Sequence, residues 1–158
     1  MSSIDPVTTG TTLPINTTRS LRSANFPGRY AVVRSDGRGH LDPVTSSSTT
    51  AVKQSATFTV VPGPADGSCY SFRDASGRYL RHKDLRIRAD ASNGTTPFNK
   101  DATYCARPGT TTGSVSLESY NYPGRYLRHY FYELRIDRNQ DDATFRANSS
   151  FTAVSPWA

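Results

Sequence analysis

The hexapeptide Gly-Arg-Tyr-Leu-Arg-His occurs twice, at Gly77–His82 and Gly124–His129, and a truncated copy, Gly28-Arg29-Tyr30, precedes both. The chain therefore reads as three copies of one unit: Ser20–Gly63, Cys69–Gly109 and Ser114–Trp157. The copies close on related segments that begin at Phe58, Tyr104 and Phe151. From Tyr79 to Tyr104 and from Tyr126 to Phe151 the interval is 25 residues, but from Tyr30 to Phe58 it is 28, so the first copy carries an insertion, placed around Pro43–Thr50.

Each unit of about 40 residues has room for four short strands. Ser116–Ser119, Arg125–Arg128 and Glu133–Ile136 alternate polar and apolar residues, as half-buried strands do. Pro-Gly, Ser-Gly and Asp-Gly steps at Pro27, Ser76, Pro123 and Asp66 punctuate them, and no stretch sustains a helical period. The fold class is all-β. Three four-stranded units are too few for a propeller, which needs about four blades or more. They suit a β-trefoil, a three-fold barrel capped by three hairpins.

The 158 residues, 35% hydrophobic, are enough for one domain with a sizeable core and contain no run long enough to span a membrane. Residues 1–19 have no apolar stretch of signal-peptide type and read as a Ser/Thr-rich tail or linker remnant ahead of a domain over 20–158. Cys69 and Cys105 bracket the second copy and are expected to form a disulfide, which implies an oxidising, extracellular location. Their spacing does not suit a metal site, and no metal or cofactor is expected. The net charge is +6, and 16 of the 19 basic residues are arginine. Arg29/Arg78/Arg125 and Arg81/Arg128 recur at matched positions, which favours cations packed along the strands over a phosphate-tracking stripe and argues against nucleic acid.

Three blocks carry a family resemblance: Ser116–His129, Phe145-Arg-Ala-Asn148 and Lys100–Gly109. They resemble the arabinofuranosidase B domain, carbohydrate-binding module family 42, from about Ser20 to Trp157. The resemblance implies a monomeric β-trefoil that binds α-L-arabinofuranosyl side chains of arabinoxylan or arabinan and is normally tethered to a secreted glycoside hydrolase. It also implies pockets contained within single repeats, each using the His after Leu-Arg and an Asp 19 residues on. His82 and Asp101 fit in the second repeat. The third has His129 and, in the same register, Asn148; Asp142 lies only 13 residues from His129 and is out of register. In the first repeat Val33 and Ser55 occupy the two positions, and that pocket is expected to be inactive.

A furanose ring needs hydroxyl acceptors, a donor–acceptor imidazole and apolar walls. The expected walls are Tyr79, Lys83 and Tyr104 in the second repeat and Tyr126, Tyr130 and Tyr132 in the third; Leu85 and Phe131 depart from the family pattern. The recurring Tyr30/Tyr79/Tyr126 and Phe58/Tyr104/Phe151 also suit core positions. Hydrolysis generally needs two carboxylates across one bond, so the chain is expected to bind without catalysing. The alternative is an Arg-rich trefoil that binds an acidic glycan or a protein. Asn16, Asn93 and Asn148 lie in N-glycosylation sequences, and a glycan on Asn148 would block the third pocket.

Overall fold

Each repeat folds as four strands with one short helix before the fourth. The computed structural model describes residues 11–158. The first repeat holds β1 (Thr17–Ser23), β2 (Arg29–Val33), β3 (Gly39–Pro43), α1 (Thr50–Ser55) and β4 (Phe58–Pro62). The second holds β5 (Tyr70–Arg73), β6 (Tyr79–Lys83), β7 (Arg86–Asp90), α2 (Thr96–Asp101) and β8 (Tyr104–Pro108). In the third are β9 (Val115–Ser119), β10 (Arg125–Tyr130), β11 (Glu133–Arg138), α3 (Ala143–Asn148) and β12 (Ser150–Val154).

The first and fourth strands of all repeats close a ring in the order β1, β4, β5, β8, β9, β12 and back to β1, which leaves no edge in the barrel. Leu21, Phe58, Phe72, Tyr104, Leu117 and Phe151, one from each barrel strand, are 0–1% exposed. Each such side chain contributes roughly 2–3 kcal/mol by burial. The second and third strands form the hairpins β2–β3, β6–β7 and β10–β11, which cap one end. This is the β-trefoil expected from the repeat.

Hydrogen bonds lock the hairpins together: Ala89 donates to the Gly37 carbonyl, Ile136 to that of Leu85, and Leu41 to that of Tyr132, at 2.8–2.9 Å. The three acceptors occupy equivalent turn positions, and all have positive φ, at 83°, 65° and 62°. Only the first is glycine. At Leu85 and Tyr132 the bond to the next hairpin holds a backbone conformation that side chains disfavour.

Two sequence expectations change. The boundary at Ser20 falls inside β1, and Leu13 is already part of the core at 6% exposure, so the folded unit starts earlier; residues 1–10 lie outside those described. The extra residues of the first repeat are also split. Tyr30 pairs with Asp42, 12 residues on, against 11 for Tyr79/Asp90 and Tyr126/Asp137, so one insertion sits in the first hairpin turn and the others follow β3. The six-residue helices show no period in sequence because they are under two turns long. Side-chain caps from Thr49, Thr95 and Asp142 start them instead.

Candidate functional site at the repeat junctions

The short helices explain the 19-residue register. Ser55, Asp101 and Asn148 are each the last residue of their helix, three positions before the buried aromatic that enters the barrel. Val33, His82 and His129 sit at matched positions on the second strand of each repeat, β2, β6 and β10. Asp142, the out-of-register acid, caps α3 by accepting from the Phe145 N–H at 2.7 Å.

His82 and Asp101 do come together, with Nε2 to Oδ1 at 3.4 Å, but a residue of the third repeat stands between them. Asn121 accepts at Oδ1 from His82 Nε2, 2.8 Å away, and donates from Nδ2 to Asp101 Oδ1 at 2.8 Å. Because the Asp101 carboxylate can only accept, the Asn121 amide must turn Nδ2 towards it and Oδ1 towards His82, so His82 Nε2 is the donor; Asn121 Oδ1 also accepts from the Ser119 hydroxyl. Arg81 holds the other carboxylate oxygen at 2.7 Å and Asp90 at 3.2 Å. Burial by itself would lower the Arg81 pKa, but the two carboxylates more than offset it and leave it raised. Tyr122 lies against the His82 ring, centroids 4.7 Å apart.

The next junction repeats this arrangement. His129 Nε2 donates to Asn25 Oδ1 at 2.9 Å, and Asn25 Nδ2 donates to Asn148 Oδ1 at 2.8 Å. The Ser23 hydroxyl donates to Asn25 Oδ1 as Ser119 does to Asn121, and Phe26 stacks on His129 at 5.1 Å. Burial, reinforced by Arg128 and Arg29, pushes the His129 pKa down to about 4, so the ring is neutral near neutrality. The residues expected to serve a pocket within one repeat are therefore tied to a residue of the following repeat. Each His–amide–acceptor chain crosses a junction: the first joins the second repeat to the third, and the second joins the third repeat back to the first.

Asn25, Phe26, Asn121 and Tyr122 were missed by the sequence reading. Their signal was the shared Ser-x-Asn-aromatic-Pro-Gly stretch, Ser23–Gly28 and Ser119–Gly124, which is read within its own repeat until the fold shows which neighbour it faces. At the third junction the equivalent of Asn121 is Asp74, tied by its own turn to Ser76 and Arg78, while Val33 is buried and Ser55 bonds the Val52 carbonyl. No His–amide chain forms there.

The expected walls divide. Tyr132 meets Phe26 edge-on at 6.1 Å and carries the Arg29 guanidinium at 3.7 Å, which puts it beside the His129 chain. Tyr130, half exposed, packs on Phe131 at 4.5 Å and near Arg128. Tyr79 packs edge-on against Phe98, the ring under Arg81. Tyr104 is no wall: it is fully buried, its hydroxyl donates to the Leu80 carbonyl at 3.3 Å, and burial raises its pKa. Phe58, Phe151 and Tyr30 are likewise core, whereas Tyr79 and Tyr126 are half-buried. Tyr126 lines a small cavity with Phe145 and Arg146 that excludes His129 and Asn148, and Lys83 extends to the hairpin cap among arginines. Cys69 and Cys105 form the expected disulfide.

The fold and its two matched polar chains define a β-trefoil built from three repeats, and the comparisons give its family. The chain belongs to the Alpha-L-arabinofuranosidase B (ABFB) domain family, whose model matches residues 19–153. A probable alpha-L-arabinofuranosidase B of Aspergillus terreus is 39% identical over 98% of this chain and 31% of its own length. An alpha-L-arabinofuranosidase of Hypocrea jecorina is 37% identical over 76% of this chain and 25% of its own. A solved arabinofuranosidase complexed with arabinofuranosyl-alpha-1,2-xylobiose superposes with a TM-score of 0.84 at 30% identity, covering 93% of this chain and 32% of that one. The chain thus spans about a quarter to a third of these relatives. The Polyporus squamosus lectin, at 10% identity and TM-score 0.67, shares the fold.

One consequence of the buried imidazole is measurable. The folded-state value of about 4 for His129 lies below the ordinary 6.5. Between these values the unfolded chain binds more protons, so stability is full above about 6.5 and falls as pH drops towards 4. His40, whose pKa burial and then Arg34 and Arg86 lower, adds to the same slope. Denaturant midpoints at pH 7 and pH 5 should show this loss, and His129→Gln should reduce it. An unchanged slope in the variant would contradict a neutral buried His129.

Proposed function

We propose that the domain holds α-L-arabinofuranosyl side chains of arabinoxylan or arabinan at its two His-bearing junctions and brings an attached glycoside hydrolase to its substrate without itself catalysing. The observation that carries this reading is the duplicated His–Asn–acceptor chain with an aromatic on the imidazole, which has the donors, acceptors and apolar face that a furanose needs. The oxygens of Asp101 each have a lone pair beyond those that Asn121 and Arg81 use, so the carboxylate can accept sugar hydroxyls while held in place. The family and the arabinofuranosyl complex of the similar structure support the same ligand class. The disulfide supports action in an oxidising, extracellular setting.

At about 0.3–0.5 kcal/mol per heavy atom, a pentose of roughly ten such atoms gains about 3–5 kcal/mol, a dissociation constant near millimolar for each pocket. Two pockets on one branched polymer give tighter retention. Affinity electrophoresis should therefore retard the domain on arabinoxylan and leave it free on unsubstituted xylan. Equal retardation by both polymers would overturn the assignment.

A further inference from the structure

On the hairpin cap, away from both junctions, strand register places Arg38, Arg86 and Glu133 at one equivalent level and His40, Arg88 and Arg135 at the next. Bridges between neighbouring hairpins link the two levels around the pseudo-three-fold axis: Arg38 with Arg88, Arg86 with Arg135, and Glu133 with His40. Arg38, Arg86, Arg88 and Arg135, with Lys83 and the single carboxylate Asp84, line a cavity of about 380 Å³. Its size falls within the roughly 300–1,000 Å³ usual for small-molecule sites, larger than a bare ion requires.

These cations are poorly explained as scaffold. Arg38 and Lys83 make no side-chain hydrogen bond or ion pair among the described residues. Arg88 and Arg135 meet Asp90 and Asp137 through Nε, at 2.9 and 3.3 Å, which leaves the terminal nitrogens of both guanidinium forks for another partner. Arg86 is fixed beneath them by the Gly39 carbonyl at 3.0 Å and Glu133 at 3.4 Å, yet its buried Nε has no partner. Burial lowers the Arg86 pKa, and the neighbouring Arg38 and Arg135 lower it further, against the opposing pull of Glu133 and Asp36. Such crowding of like charge opposes folding unless an anion relieves it.

We propose that this cavity is an oxyanion site that takes the carboxylate or sulfate of an acidic sugar unit, with the forks of Arg88 and Arg135 and the side chains of Arg38 and Lys83 as donors. It is independent of the arabinose reading, and either can fail alone. The test is titration of the intact domain at low ionic strength with sodium glucuronate, inorganic sulfate and, as neutral control, glucose, followed by the side-chain Nε–H resonances of the arginines. Glucuronate should shift Arg88 and Arg135, glucose should not, and added salt should weaken the effect. Arg38 is exposed, and Arg38→Glu should weaken glucuronate binding about tenfold while leaving arabinose titration unchanged. Sulfate binding without glucuronate would support the site with a free oxyanion as its source. Absence of binding by both anions, or glucuronate binding unaltered in Arg38→Glu, would overturn it.

Discussion

Replacing both Cys69 and Cys105 by alanine should lower the unfolding free energy by about 4 kcal/mol and the melting temperature by about 10 °C. The bond joins the residue just before β5 to the second residue of β8, with Cα atoms 4.5 Å apart and a sequence separation of 36, so it closes nearly the whole second repeat into a loop. Those two strands share only one register pair, Tyr70 with Tyr104, whereas β4–β5 has four and β8–β9 five. The cross-link therefore reinforces the barrel at a sparsely paired seam as well as limiting the unfolded chain. Denaturant unfolding of the double variant beside the parent checks the size of the effect. A difference under about 1 kcal/mol would mean that packing of Phe72 on Tyr104, 6.1 Å between rings, already secures the seam.

What the sequence made legible was whatever repeats at fixed spacing. Three copies and their closing aromatics follow from matched intervals, four strands per copy from the length of the unit, and the His–acceptor pair from the family resemblance; the trefoil realises the repeat. Spacing cannot say which copy faces which. For that reason Asn121 and Asn25 are not named from sequence, although they complete the chemistry of the preceding repeat. Tyr104 shows a related limit: a recurring aromatic suits core and pocket equally until the barrel closes over it. The arginines show the same mixture of success and failure. Arg29, Arg81 and Arg128 pack on aromatic rings, as their recurrence suggested. Arg86 and Arg135 share an acidic-Leu-Arg-Ile stretch, at Asp84–Ile87 and Glu133–Ile136, but only the meeting of three hairpins gathers them with Arg38 and Arg88.

Asp101→Ala should cut arabinose affinity at the second–third junction by tenfold or more and destabilise the domain by about 1–3 kcal/mol. The affinity loss follows from removal of an ionised acceptor, and the stability loss from leaving Arg81, 17% exposed, with a single carboxylate, Asp90 at 3.2 Å, beside its bond to the His82 carbonyl. Asn121→Ala should reduce binding at the same junction, although it lies in a different repeat. A single-repeat pocket would leave Asn121→Ala unchanged, so this pair separates the two geometries. The third repeat offers the converse experiment. Arg128, 5% exposed, repeats the contacts of Arg81 to the next carbonyl at 3.0 Å and to one carboxylate, Asp137, at 3.4 Å. It faces no second carboxylate, because Asn148 stands where the second repeat has Asp101. Asn148→Asp supplies one, and should both steady Arg128 and strengthen arabinose binding several-fold, since a charge-assisted bond replaces a neutral one. Calorimetry with arabinose reads both changes through affinity and stoichiometry. Unchanged binding in Asp101→Ala would remove the second–third junction as a sugar site, and weaker binding in Asn148→Asp would show that the third site depends on the amide's own N–H donors.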